Sequence, residues 1–334
     1  MSPIPTPVGF ARSAIALPGE ASCTAPCSAR VAIVLAGRGA TTRTVGLSTA
    51  LGLPVAALPI NAERNLVGCW VKRMAEAGFT GHVVLAITSE SERAFYAGLH
   101  APAGVTLQVR EDSSGHRGAG GTIGDAWTEF VATLDPAMRA GGAIVIEASN
   151  LPLLDFAAFF GAIDGSHGAL IGASGDAEPA GITWLAPDAL GLVPRIGYFD
   201  LKEQLVTAIV KAGKRVNACF CGRDACRISD RASYLRAVAL MQQAGAATRC
   251  GDAVVEPGAV VRGNSLLCDG AVVERGALVV DSVVLPGARV CSDAVVARSI
   301  VPPGSHVPCG YLVVDEIFGA LGSASKSGTE GGAS

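Results

Sequence analysis

The sequence predicts a layered α/β domain followed by a parallel β-helix built of hexapeptide coils. Three observations carry that prediction. Val31-Ala32-Ile33-Val34-Leu35-Ala36 is an unbroken apolar run rich in β-branched residues, and it reads as a strand buried on both faces. From there to about Leu240 strand-like and helix-like segments alternate, which implies a layered, largely parallel sheet. After Cys250 a six-residue period sets in. Ala253, Ala259, Ser265, Ala271, Ala277 and Val283 recur, and two positions on Val255, Val261, Leu267, Val273, Val279 and Leu285 do the same. Paired small and aliphatic positions at that spacing, with glycine or asparagine at many turns, are the signature of a parallel β-helix. The register slips by one near Pro286 and Gly287, then resumes with Ala288/Val290 and Ala294/Val296. About three coils of about 18 residues fit between Gly251 and Pro308.

The 334 residues are long enough for two cores. Aromatics are few and Ala, Val, Leu and Gly many, which favours tightly layered strands. A net charge of −3 offers no electrostatic footprint for nucleic acid or an anionic membrane. No apolar run approaches the roughly 20 residues that span a bilayer. The expected organisation is a loose tail over 1–30, an α/β domain over 31–245, a β-helix over 250–310, and a capping segment with a Gly/Ser-rich disordered end over 311–334. Cys219, Cys221 and Cys226 form a loose trio without a paired second cluster, and the ten cysteines read as reduced thiols of a cytoplasmic protein.

Along the first domain, residues 64–77 place Leu66, Val67, Trp70, Val71 and Met74 on one helical face, with Arg64, Lys72, Arg73 and Glu76 largely opposite. His82 to Thr88 reads as a buried strand, and Ser89 with Glu92 as a capping box opening a helix to Leu99. Val105–Val109, Ala143–Ile146, Gly181–Leu185 and Arg215–Cys219 read as further strands. Asp200 with Glu203 opens a helix from Leu201 to Lys211.

Two loops carry candidate chemistry. Gly37-Arg38-Gly39-Ala40-Thr41-Thr42-Arg43 follows the first strand, so backbone N–H groups and two cations converge where a phosphate would sit. In layered parallel sheets, ligands bind beyond the carboxyl ends of strands. Ser113 to Thr122 holds Gly115, Gly118, Gly120 and Gly121 ahead of a helix. Its glycines allow close approach, and Arg117 with the helix N-terminus favours an anion or a nucleotide edge. His116 reads as a solvated loop histidine.

Taken together, these segments resemble the sugar-1-phosphate nucleotidyltransferases that carry a C-terminal left-handed β-helix. The resemblance runs from about Ala32 to Pro308. Leu35-Ala36-Gly37-Arg38-Gly39-Ala40-Thr41-Thr42-Arg43 is similar to the family's phosphate loop, and Arg117-Gly118-Ala119-Gly120-Gly121-Thr122 to its nucleobase-side glycine loop. Leu53 to Ile60, Gly197 to Leu205 and Ser233-Tyr234-Leu235 match further recurrent segments. The resemblance implies a Rossmann-like, GT-A-like sheet. It also implies a reaction in which a sugar 1-phosphate oxygen attacks the α-phosphorus of a nucleoside triphosphate and releases pyrophosphate. On this reading Arg38 and Arg43 are the catalytic cations, and Ala36, Gly37, Gly39, Arg117, Gly118, Gly120 and Gly121 bind the nucleotide.

The departures from the family pattern fall on the chemistry. Asn150 stands where the first metal-binding Asp belongs, and Arg227 at the second metal position. Val55 replaces a lysine, the stretch between Leu170 and Gly181 is too short for the sugar-phosphate segment, and Arg38 replaces a glycine. Two readings follow. In an active enzyme, Arg38, Arg43, Arg117 and Arg227 supply the charge, or Glu147 and Asp155 recruit Mg2+ from shifted positions. In a catalytically lost paralogue, the site binds a nucleotide or nucleotide sugar as a sensor, regulatory subunit or scaffold. The expected assembly is a homo-oligomer through the β-helix or a hetero-oligomer with an active homologue. A hexapeptide acyltransferase is the remote alternative, with His306 as the histidine of the coils.

Overall fold

The computed structural model describes residues 27–37, 45–62, 64–112, 117–222, 226–243 and 249–319. Strand β1 (Val31–Leu35) is buried at every residue, as a run with no polar side must be. It lies inside a seven-stranded sheet with β2 (Gly81–Ile87), β3 (Val105–Glu111), β4 (Ala143–Glu147), β5 (Gly168–Ser174), β6 (Pro179–Leu185) and β7 (Arg215–Gly222), in the order β3-β2-β1-β4-β6-β5-β7. The pairs β1/β2, β2/β3, β1/β4 and β5/β7 are parallel. The largely parallel sheet expected from the alternation is present, with β6 antiparallel to both its neighbours. The turn from Ser174 to Glu178 is too short for a crossover, so β5 and β6 close as a hairpin, with Ala177 at φ 62°.

Helices α1 (Val45–Leu51), α2 (Leu66–Glu76), α3 (Gly118–Val131), α4 (Pro136–Ala140), α5 (Phe156–Ile163), α6 (Pro187–Leu190), α7 (Val206–Lys211) and α8 (Arg231–Gln243) connect and flank the strands. In α2 the five apolar residues picked out by helical spacing are all buried, and the Asn65 side chain accepts from the Gly68 N–H at 2.8 Å to start the helix. The expected helix from Ser89 to Leu99 is instead a 3-10 segment, Glu90–Tyr96. Ser89 makes no cap; its hydroxyl pairs with that of Ser91, and the buried Glu92 carboxylate accepts from the Thr88 N–H at 2.9 Å. Asp200 caps Lys202 and Glu203 as expected, but the first turn, Leu201–Leu205, is π-helical before α7 takes over. Gln204, rather than Glu203, reaches back to the Asp200 N–H at 2.6 Å.

Eleven short strands, β8 to β18, build the β-helix between Val254 and Val314. They stack as three parallel faces: β10 (Leu266–Leu267), β13 (Val283–Val284) and β16 (Ile300–Val301); β8 (Val254–Val255), β11 (Val272–Val273), β14 (Arg289–Val290) and β17 (His306–Val307); β9 (Val260–Arg262), β12 (Leu278–Val280), β15 (Val295–Ala297) and β18 (Leu312–Val314). Val255, Val273, Val290 and Val307 are in register, and Val261, Val279, Val296 and Val313 form the matching inner column of another face. The register slip falls at the corner of Asp281 and Ser282, earlier than Pro286. There Val284, not Leu285, joins Leu267 and Val301 in the interior column, because the corner between β12 and β13 has one residue fewer than that between β9 and β10. Asp281 takes φ 47° to turn this tighter corner, and the following coils repeat it at Arg298 (φ 47°) and Asp315 (φ 57°).

Two further boundaries differ from expectation. Residues 312–314 form the last strand of the coils, so the β-helix runs past residue 310. Ile317 then bridges Ile300, and Phe318 packs on the inner core with its ring 6.1 Å from Tyr311. Leu266, Val283, Leu285 and Ile300 belong to the core of the α/β sheet rather than to that of the coils. Gln242 of α8 reinforces this seam by donating to the Ser265 carbonyl at 3.0 Å. Arg231 of α8 reaches the Arg298 carbonyl and, at 3.4 Å, Asp315.

Candidate functional site

The carboxyl ends of β1 and β4 meet, with Leu35 level with Glu147. Ala36 and Gly37 follow β1 and are held tightly. The Ala36 N–H donates to the Ala86 carbonyl at 2.9 Å, and its own carbonyl accepts from the buried Tyr96 hydroxyl at 2.6 Å. A Cβ at Gly37 would collide with Thr88, lying 2.6 Å from its backbone nitrogen, so glycine is needed there for packing. Arg38, Gly39 and Arg43 lie outside the described residues, as does His116.

Asn150 and Arg227, which stand where the resemblance expects metal carboxylates, are brought together. Segments 149–151 and 226–228 form an antiparallel bridge at Asn150 and Arg227, with Leu151 N–H on the Cys226 carbonyl at 2.8 Å and Ile228 N–H on the Ser149 carbonyl at 2.7 Å. Asn150 is buried; its side-chain nitrogen donates to the Glu147 backbone carbonyl at 3.1 Å, and its backbone carbonyl accepts from the Trp70 indole at 2.7 Å. Gly181 in β6 makes room for it, since a Cβ there would stand 2.6 Å from the Asn150 side chain.

Arg227 turns its guanidinium onto Glu147, Nη2 to Oε2 at 2.6 Å, and Lys202 approaches Oε1 of the same carboxylate at 3.2 Å. Glu147 is 11% exposed, Arg227 23% and Lys202 51%. The triad therefore carries one uncompensated positive charge at the end of the strand, with the lysine on the solvent side. Lys202 was not singled out in the sequence, and the one local signal for it was its place in the Gly197–Leu205 segment. Asp155 does not join this group: its carboxylate caps α5, accepting from the Ala158 N–H at 2.9 Å. These residues do not fit Mg2+. Hard divalent cations take oxygen ligands, whereas here the second position presents a guanidinium and Glu147 is already shared between two cations.

The second loop departs from its expected role. Arg117 is buried and spends its guanidinium internally, on Asp125, on the Pro194 carbonyl and on the Gly197 carbonyl. Its own carbonyl accepts from the Phe199 N–H at 2.6 Å, and the Gly121 N–H donates to the Phe199 carbonyl at 3.0 Å. A Cβ at Gly118 or Gly120 would come within 2.8 Å of Tyr198 or Phe199, and one at Gly121 would strike the Arg117 side chain. The glycines thus let residues 194–199 pack over the start of α3. Arg117 ties these segments together through its contacts to Asp125, Pro194 and Gly197.

Cys219 and Cys221 are alternate residues of β7 and share a hydrogen bond that pulls the Cys219 thiol down and, with burial, pushes the Cys221 thiol up. Cys226 is buried with its Sγ 4.0 Å from the Ser233 carbonyl. A cavity of about 510 Å³ opens at the opposite, amino end of β4 and β5, lined by Gly141, His167, Trp184, Asp188 and Lys214, and touches none of the groups around Glu147.

The first and fourth strands of the seven-stranded sheet end together at a charged cluster, and the sheet is joined to a hexapeptide β-helix. Residues 236–316 match the family described as GlmU-like, C-terminal hexapeptide. The chain is also similar to two glucose-1-phosphate adenylyltransferases. It is 32% identical over 68 residues to that of Bacillus cytotoxicus, covering 20% of this chain and 18% of that protein. It is 36% identical over 71 residues to that of Bacillus cereus, covering 20% and 19%. The chain spans about a fifth of the length of these curated relatives. The fold and these partial matches make the chain similar to sugar-1-phosphate nucleotidyltransferases that carry a C-terminal hexapeptide β-helix. No helix among the described residues is long and apolar enough to cross a membrane.

Proposed function

We propose that this chain binds a nucleotide or nucleotide sugar at the carboxyl end of β1 and β4 without transferring a nucleotidyl group, and so acts as a sensor or regulatory subunit. One observation carries the reading: Arg227, where the resemblance expects a metal carboxylate, is bridged to Asn150 and pairs with Glu147 together with Lys202. Nucleotidyl transfer brings two anions together and moves further negative charge onto pyrophosphate. Carboxylate-bound divalent metal ordinarily absorbs that charge, and its loss removes several kcal/mol of transition-state stabilisation. Fixed cations at the same place still attract a phosphate in the ground state. Arg227 and Lys202 are the binding groups. Asn150 and Gly181 hold the Arg227 strand in place, and Tyr96 fixes the exit of β1. The β-helix is assigned to oligomerisation, with itself or with an active homologue.

The test uses the full-length chain. Pooled nucleoside triphosphates, sugar 1-phosphates and Mg2+ are expected to give no pyrophosphate. Nucleotide sugars, with ADP-glucose the first to try, are expected to raise the thermal midpoint in the wild type and to do so less in Lys202→Ala. Pyrophosphate release that disappears in Arg227→Ala would instead establish an enzyme that uses arginine and lysine in place of metal. Stabilisation that Lys202→Ala leaves unchanged would move the ligand elsewhere.

A further inference from the structure

A second cluster lies on the outside of the β-helix, away from Glu147. The coils place Val273, Val290 and Val307 in one inward column, and the next residue of each of the first two coils, Glu274 and Cys291, points outward at the corner. Both are locked into the ladder by the same bond, Glu274 N–H to the Val290 carbonyl at 2.9 Å and Cys291 N–H to the Val307 carbonyl at 3.1 Å. Cys309, after Pro308 in the following coil, closes the group. The ligand atoms of Glu274, Cys291 and Cys309 all lie within 4.8 Å of one another.

We propose that Glu274, Cys291 and Cys309 form a binding site for a thiophilic divalent cation, of which zinc is the probe of choice. The donor set sorts the metals: two thiolates and one carboxylate suit Zn2+, with metal–sulfur bonds of about 2.3 Å, and do not suit Mg2+ or Ca2+. Glu274 is pre-oriented for the role. The Ser292 N–H and hydroxyl hold its Oε2 at 2.9 and 3.0 Å, while Arg289 holds Oε1 at 2.7 Å.

The fourth coordination position is open: His306 of the next coil is in register with Arg289 and exposed, and it lies outside the group of three. Bound metal would clasp three successive coils.

The experiment titrates the reduced full-length chain with Co2+. The expected result is a near-ultraviolet thiolate-to-cobalt charge-transfer band that saturates at one equivalent and is bleached by one equivalent of Zn2+. Cys291→Ser/Cys309→Ser should lose the band, and Glu274→Gln should weaken binding. Absence of the band in the wild type, or its persistence in the double variant, overturns the proposal. Zinc protection of Cys291 and Cys309 from alkylation in the wild type, mapped by peptide, gives the same answer should the variant fail to fold; unprotected thiols would refute the site.

Discussion

Replacing Arg227 by Ala tests the charge arrangement at the end of β4. The substitution leaves the backbone bridge to Asn150 intact, so it removes the cation and not the scaffold. Breaking a fully buried pair on one side costs about 3–5 kcal/mol, and an exposed pair is worth at most about 1 kcal/mol. This pair lies between, with Glu147 11% and Arg227 23% exposed. Lys202 stays at 3.2 Å to share the remaining carboxylate charge. The expected loss is therefore about 2 kcal/mol. At roughly 2–4 °C per kcal/mol for a domain of this size, the thermal midpoint should fall by about 4–8 °C. Urea denaturation should agree, and a cycle with Glu147→Gln should return a coupling of about 1 kcal/mol or more. The variant should also lose most of the stabilisation that a saturating nucleotide sugar confers, about 2.7 kcal/mol at a hundred times Kd. A loss under about 0.5 kcal/mol, or an additive cycle, would refute the claim that Arg227 and Glu147 neutralise each other.

Gly37→Ala should destabilise the exit of β1 by more than about 2 kcal/mol, because the added methyl meets Thr88 with no room to relax; wild-type urea stability would refute the packing role. Tyr96→Phe leaves the Ala36 carbonyl without its hydroxyl donor and should cost about 1–1.5 kcal/mol, read as faster amide exchange at the end of β1. Asp230 caps α8 through the Ser233 N–H and hydroxyl, both at 2.8 Å, and these bonds hold its carboxyl below the ordinary 3.8. Asp230→Ala should cost about 1 kcal/mol at neutral pH. Since the folded value is the lower one, that contribution is complete above the unfolded value and disappears as pH falls through the folded one, so wild type and variant should converge in acid. A gap that does not narrow as the solution is acidified would contradict the assignment.

Legibility followed the range of the interaction. The buried face of α2 and the inner columns of the β-helix were written in spacings of four and six residues, which any chain of that geometry must repeat. The slip at Asp281 was detectable as a break in period, but its place was not, because Val283-Val284-Leu285 offers aliphatic side chains at every position and only the corner decides which faces inward. The Ser89–Glu92 box had the right residues, yet Glu92 turned to Thr88, one residue earlier, as the segment wound into the tighter 3-10 turn.

The candidate site divides along the same line. Asn150 and Arg227 stand where the resemblance to the nucleotidyltransferases leads one to expect metal carboxylates, and the sequence is enough to see that. The contacts these residues make join segments far apart in the chain: Arg227 and Lys202 share Glu147 and leave one net positive charge, and Arg117 is spent on Asp125 and the carbonyls of Pro194 and Gly197. A guanidinium reads the same in sequence whether it faces a ligand or a carboxylate of its own chain. Local periodicity and residue chemistry therefore determined the elements, the coils and the altered positions. Which charges were already spent was decided only when the sheet brought distant segments together, since burial leaves a charge no stable state but a paired one.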